Sequence, residues 1–248
     1  MACGFSIDTK PLEVPAAINA TYAQKLKSEV REMVESEIED FYPEVVVSYA
    51  SGKRPDDEKG TGPGFVHAFH FIKLLKQNGY ACFSGLHVPV DSNWKIYFLR
   101  LDGDKARAKV MIALLNPAYF KSMPCMRELH RAIKSKVKIL LVRMEESMPP
   151  SKADQWKGEM EEDAELERKK VRDYLGKNNA IPHPGTLPTV PTAFAEILKI
   201  IREHCKPDAP THNNFVAHDG SSSAEQVATS AQVTAHCQGS RARAEDTA

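Results

Sequence analysis

The sequence predicts an α/β domain built on a five-stranded parallel sheet with helices on both faces. Three observations predict it. Val110–Leu115 is six apolar residues without polar alternation, as in a strand covered by helices on both sides. Val137-Lys-Ile-Leu-Leu-Val-Arg143 is a second run of that kind. Between the apolar runs lie stretches of helical period, so the order reads β-α-β-α-β-α-β-α-β-α, and right-handed crossovers turn that order into one parallel sheet.

The elements follow in chain order. Residues 1–14 carry no periodic signal. From about Pro15 to Asp40, Ile18, Tyr22, Leu26, Val30, Met33, Val34 and Ile38 form an apolar stripe among Lys and Glu, the mark of a helix packed on a neighbour. Glu44–Tyr49 is the first strand. A polar, glycine-rich loop, Ser51–Gly64, leads into a helix carrying Phe65, Phe69, Ile72 and Leu75, which Asn78-Gly79 stops. Such a loop can turn backbone N–H groups toward a phosphate. It matches neither G-x-G-x-x-G nor a Walker A loop, so a flexible turn is the stronger reading. Tyr80–Phe83 is a short second strand, and Ser84–Asn93 is a loop. Trp94, Ile96, Tyr97 and Leu99 sit on a short element before the third strand, Val110–Leu115.

Asn116-Pro117 ends that strand, and Ser122 and Pro124 open a helix, with proline tolerated in its first turn. Cys125, Leu129, Ala132 and Ile133 share one face of it. Glu128 falls at the edge of that face, about a quarter turn off its centre at 3.6 residues per turn. A carboxylate there can border a cleft at the carboxyl end of the sheet, where such folds bind ligands. After the fourth strand and Pro149-Pro150, Ser151–Leu175 is strongly charged, with Glu165 and Lys169 as a favourable i,i+4 pair. Ala180-Ile181 supplies a brief fifth strand. Phe194, Ile197, Leu198 and Ile201 form a closing helix that ends before Pro207, and the remainder to Ala248 has the composition of a disordered tail. The organisation is a helical extension (1–43), the α/β domain (44–205) and the tail (206–248).

Composition narrows the function. Among 248 residues, 33 Lys and Arg balance 33 Asp and Glu, and 42% are hydrophobic. A zero net charge gives no general field for nucleic acid. No apolar run spans a membrane, and the N-terminus lacks a secretory core. Five cysteines at irregular spacing form no disulfide framework and no paired zinc pattern. A cytoplasmic protein is expected. His67 and His70 share a helix face without a third ligand, and His204-Cys205 and His236-Cys237 are equally incomplete. No metal and no cofactor is expected. Cys125 reads as core, since no histidine is placed to activate it and His130 lies on the other side of its helix.

Val46-Val-Ser-Tyr49, Phe65–Phe83, the length of Ser84–Trp94, and above all Val110-Met-Ile-Ala-Leu-Leu-Asn-Pro-Ala-Tyr-Phe-Lys-Ser122 followed by Cys125-Met-Arg-Glu128-Leu129 resemble the TIR (Toll/interleukin receptor) domain family. The last stretch looks like that family's strand, Ser-x-x-Tyr turn and Cys-x-x-Glu-Leu helix. The resemblance covers about two-thirds of the chain and implies a flavodoxin-like sheet. Asn116 stands in place of the usual Ser of the turn, Pro124 in place of a frequent Trp, and Gly85 and Ser92 in place of a common Asp and Gly in the loop after the second strand, the BB loop.

Members similar to this chain cleave the nicotinamide–ribose bond of NAD with a glutamate at the Glu128 position. The resemblance implies NAD as substrate, Glu128 as the catalytic residue, and Tyr49, Phe83, Trp94 and Cys125 around the substrate, with Tyr49 toward the adenine and Trp94 toward the nicotinamide. One carboxylate suits this chemistry. Nicotinamide departs without a general acid, and the ribosyl centre becomes oxocarbenium-like, as in glycoside hydrolysis. The family equally implies self-association and contacts with other TIR proteins, and many members signal by association alone. That second role stays open, as does the bland reading of Glu128 as a solvated residue facing Arg131. A phospho-receiver fails, because the third strand ends in Asn116 and not Asp. A nucleoside deoxyribosyltransferase-like fold is a remote option.

Overall fold

The computed structural model describes residues 14–32, 40–88, 95–146 and 164–207. Four strands, β1 (Val45–Tyr49), β2 (Cys82–Ser84), β3 (Val110–Leu115) and β4 (Lys138–Arg143), form one sheet in the order β2-β1-β3-β4. Every pairing is parallel. All six residues of β3, at the centre, are buried. The fold class is the expected one, with one strand fewer. Ile181 makes a single parallel bridge to Val142, its N–H donating to the Leu141 carbonyl while its own carbonyl accepts from Arg143. Pro182 follows. It has no N–H to donate, so the fifth strand stops at one residue.

Helices α2 (Pro63–Gln77) and α6 (Ala193–His204) cover one face, with Phe71, Ile72 and Leu75 of α2 and Phe194, Ile197 and Ile201 of α6 against Val45, Val47 and Ile112. Helices α3 (Lys95–Asp102), α4 (Met123–Lys134) and α5 (Ala164–Lys177) cover the other. There Tyr97, Leu129, Ala132 and Val171 meet Val46, Met111, Ala113 and Leu141. Glu165 pairs with Arg168 and Arg172 and not with the expected Lys169. Among the described residues, no helix is long and apolar enough to cross a membrane.

The Ser51–Gly64 loop is exposed over Lys53, Pro55, Asp56 and Glu58–Gly60 and closely packed where it enters α2. A side chain at Gly64 would stand 1.9 Å from the Ala50 carbonyl oxygen and 2.7 Å from the Asn116 amide nitrogen. Gly62 lies at φ 156°, and a Cβ there would meet the Ser51 carbonyl at 2.2 Å. The two glycines let α2 start hard against the carboxyl end of β1. The N–H groups of Gly64, Phe65 and Val66 already donate to Ser51 and Gly62 carbonyls, so the start of α2 does not hold them ready for a phosphate.

Helix α1 (Ala20–Glu32) lies on the outer side of α2. Ile18, Ala23, Leu26 and Val30 are buried with Phe65, Val66 and Phe69. The expected residues Met33, Val34 and Ile38 lie outside the described ones. The entry to α1 is clasped by the loop. Asp57 accepts from the Ile18 N–H at 2.9 Å, the Arg54 N–H at 2.9 Å and the Arg54 guanidinium at 2.9 Å. Arg54 also donates to the Pro15 carbonyl. The Arg54 hydrogen bond, together with the two backbone N–H donors, holds the Asp57 carboxyl down at about 2.

Asp57→Ala leaves the Ile18 N–H and the guanidinium without their acceptor. It is expected to cost roughly 2–3 kcal/mol, read as a lower urea midpoint, with amide exchange in α1 accelerating first. The lowered carboxyl sets the sign with pH: the clasp is present above the ordinary carboxyl range and fades as pH falls toward 2.

Candidate active site at the carboxyl end of the sheet

Strand β1 is flanked by β2 on one side and β3 on the other, so the chain leaves the sheet centre in opposite directions after successive strands. The carboxyl ends of β1 and β3 thus border the crevice where open α/β sheets receive ligands. Residues from three elements meet there. Ser48 comes from β1, Tyr119 from the 3-10 turn after β3, and Glu128 from α4.

Ser48 faces the α3–α4 side and pairs in register with Ala113, whose small side chain sits in the same layer. Its Oγ donates to Glu128 Oε2 at 2.5 Å and stands 2.8 Å from the Tyr119 hydroxyl. Ser48 has one proton and two partners. With Glu128 ionised, the direction is Tyr119 to Ser48 to Glu128, and with Glu128 protonated it can reverse. The turn that delivers Tyr119 is set by Asn116. Its Oδ1 accepts from the Tyr119 N–H at 2.8 Å, and its Nδ2 donates to the Ala50 carbonyl at 3.1 Å. An asparagine therefore caps this turn and ties it to the end of β1, which accounts for its standing where the resemblance would have a serine.

Helix α4 opens with Ser122 as N-cap, its Oγ accepting from the Cys125 N–H. Pro124 is in the first turn, where its missing N–H would have had no helical partner. It leaves the helix regular, and Glu128 projects one turn further along. Glu128 is 2% exposed. The expectation of a residue at the rim is corrected: the rotation of α4 against β1 turns the carboxylate inward, onto Ser48. Arg131, its alternative partner, is engaged with Asp102 at 2.5 Å and lies 4.5 Å over the Phe98 ring.

Burial raises the Glu128 carboxyl to about 8, against the lowering effect of the Ser48 hydrogen bond. Among the described residues no cation pairs with it. Its neighbours are themselves acids. Burial, together with the charges of Glu128 and Cys125, holds the hydroxyls of Tyr97 and Tyr119 well above their ordinary range, and burial and Glu128 do the same to the Cys125 thiol. With its carboxyl raised to about 8, Glu128 is mostly protonated at neutral pH, and a cation placed beside it would favour its ionisation.

The other expected residues are placed as follows. Tyr49 is half-buried at the end of β1, its hydroxyl raised by burial, Cys125 and Glu128. Cys125 is buried and donates from Sγ to the Tyr49 carbonyl at 3.3 Å. Phe83 is fully enclosed, stacked on His87 at 5.6 Å, with Tyr97 at 5.7 Å and the Arg100 guanidinium at 4.4 Å. It presents no surface to a ligand in this arrangement. Gly85 begins a 3-10 turn closed by Ser84 and His87, which burial holds at about 4. Trp94 and Ser92 lie outside the described residues. His67 is buried, with burial and His70 lowering it to about 4 and its Nδ1 unpartnered. His130 faces Glu167 at 3.4 Å. No three His, Cys, Asp or Glu side chains among the described residues could hold a metal.

Ser48 and Tyr119 were quoted in the motifs above without a role. The available signal was Ser48 itself, a hydroxyl inside a buried parallel strand, where a partner is obligatory.

No family model and no curated protein matches the chain. Among solved structures it is similar to the TIR domains in the structure of the activated Roq1 resistosome directly recognizing the pathogen effector XopQ. The TM-score is 0.43 and the identity 16%, covering 63% of this chain and 98% of that one.

Because the folded carboxyl of Glu128 titrates far above an unfolded one, its stabilising protonation is complete below about 4.5 and is lost as pH rises through about 8. Glu128→Gln should therefore raise the melting temperature, with a larger gain at pH 8.5 than at pH 5. Equal gains at both pH values would contradict the burial argument.

Proposed function

We propose that this chain is a TIR-like NAD hydrolase in which Glu128 acts on the nicotinamide–ribose bond. The single observation that carries the reading is the position of Glu128. It is a buried carboxylate at the switch point of a parallel sheet, held by a strand hydroxyl and paired with no cation among the described residues. The Cys-x-x-Glu-Leu resemblance adds to this.

The chemistry follows from the electrostatics. The nicotinamide ring of NAD is cationic. Entering beside Glu128, it supplies the charge that the cluster lacks and favours release of the carboxyl proton to solvent. As the bond to ribose breaks, positive charge moves onto the sugar, and a preorganised carboxylate in a low-dielectric site stabilises it. Ser48 keeps Oε2 oriented, and Tyr119 backs Ser48, so neither touches the sugar. Nicotinamide leaves as a neutral base, and the ribosyl centre is taken by water or by the adenine end of the same molecule.

Glu128 has to be uncovered before any of this happens. Self-association of the chain is the natural means, since a second copy can hold the crevice open and complete its wall. The burial of Glu128 also favours one competing reading, a signalling module working through TIR–TIR contacts in which Glu128 is part of the core.

Nicotinamide release from NAD by concentrated full-length protein separates the two. Under the catalytic reading, Glu128→Ala lowers release by at least ~100-fold. The wild-type kcat/KM rises with pH through about 8, the free-enzyme value of the carboxyl. Ser48→Ala moves that inflection to higher pH, because it removes the one hydrogen bond that lowers Glu128. Folded protein with no turnover, clustered or not, supports the signalling module instead.

A further inference from the structure

The opposite end of the sheet carries a second site. At the amino-terminal edge of β3 and β4 lies a pocket of about 380 Å³, far along both strands from Glu128. Its volume is within the range of small-ligand sites. Lys109, Lys136 and Lys138 line it together with Ile133, Ile139, Tyr174 and His204. Lys109 is engaged by Glu44, whose second oxygen accepts from the Lys206 N–H. Lys136 and Lys138 have no carboxylate partner among the described residues.

The backbone at Lys136 adds a separate observation. Helix α4 ends by a Schellman closure: the Lys136 N–H bonds the Ile133 carbonyl and the Val137 N–H bonds the Ala132 carbonyl. That closure needs a left-handed residue, and Lys136 sits there at φ 56°, the only positive-φ residue other than glycine among the described ones. Glycine is the ordinary occupant. A lysine in that place is strained, and strain of this kind collects where a side chain has work to do. Here it puts an ammonium group on the rim of a pocket that already has two more.

We propose that this pocket binds a nucleoside diphosphate, with its phosphates on Lys136, Lys138 and Lys109 and its base against Ile133, Ile139 and Tyr174. Lysines serve phosphate as mobile point charges and need no fork geometry. The apolar side chains in the lining favour a ligand with a ring system over a bare anion. The site is independent of the catalytic reading and lies on the opposite edge of the sheet. The plainer account of these lysines is that they complement the negative end of α4, and that account predicts no ligand.

Calorimetric titration of the full chain with ADP, adenosine and inorganic pyrophosphate tests this. ADP should bind, adenosine at least tenfold more weakly and pyrophosphate at least threefold more weakly, with ADP affinity falling as salt is raised. Lys136→Gly is the informative variant, because it relieves the strain while removing the charge. It should hold or raise the melting temperature and weaken ADP at least fivefold. Lys138→Ala should weaken ADP similarly, and Glu128→Gln should leave it unchanged. The proposal is overturned if ADP does not bind, if pyrophosphate binds as tightly as ADP, if both lysine variants bind like wild type, or if Glu128→Gln abolishes binding.

Discussion

A carboxylate enclosed among tyrosines and a thiol is the constraint around which the carboxyl end of this molecule is arranged. Burying Glu128 without a cation is costly, and the structure offsets that cost with one strand hydroxyl and with protonation. The register of β1 on β3 brings Ser48 beside Ala113 and under α4. Asn116 fixes the turn that brings Tyr119 onto the same hydroxyl. The glycines at 62 and 64 then allow α2 to start without pushing β1 away.

The middle and the end of α4 make a contrast. At its middle, a charge is hidden and silenced. At its end, Lys136 is forced into an uncommon backbone conformation that leaves a charge in the open. A helix of twelve residues thus lies between a carboxyl with no cation beside it and two lysines, Lys136 and Lys138, with no carboxylate partner, among the described residues.

The sheet was legible because parallel strands buried on two faces leave unbroken apolar runs, and Val110–Leu115 is such a run. The fifth strand was overread from Ala180-Ile181, where Pro182 allows only a bridge. The position of Glu128 along its helix was legible, but its depth was not. A quarter turn separates rim from core on a helical wheel, and the rotation of α4 is set by tertiary contacts that periodicity does not contain. Arg100 shows the same limit. No periodicity in its short helix marks it, yet it is fully buried between the rings of Phe83 and Tyr42 and hydrogen-bonded to the Phe41 and Ile96 carbonyls. The fold, and not the sequence, brings Lys109 and Tyr174 beside Lys136 and Lys138.

The docking of α1 has a practical consequence for anyone handling fragments of this chain. The apolar side of α2 that carries Phe65, Val66 and Phe69 is covered from within, by a segment lying before the first strand. A fragment trimmed to begin at Glu44, where the sheet begins, would uncover that side in water. Contiguous exposed apolar surface of this kind drives association. Such a fragment would form aggregates or dimers that owe nothing to biology, and these would be easy to mistake for a signalling assembly. Fragments meant to report on self-association should therefore keep the chain from Val14 onward.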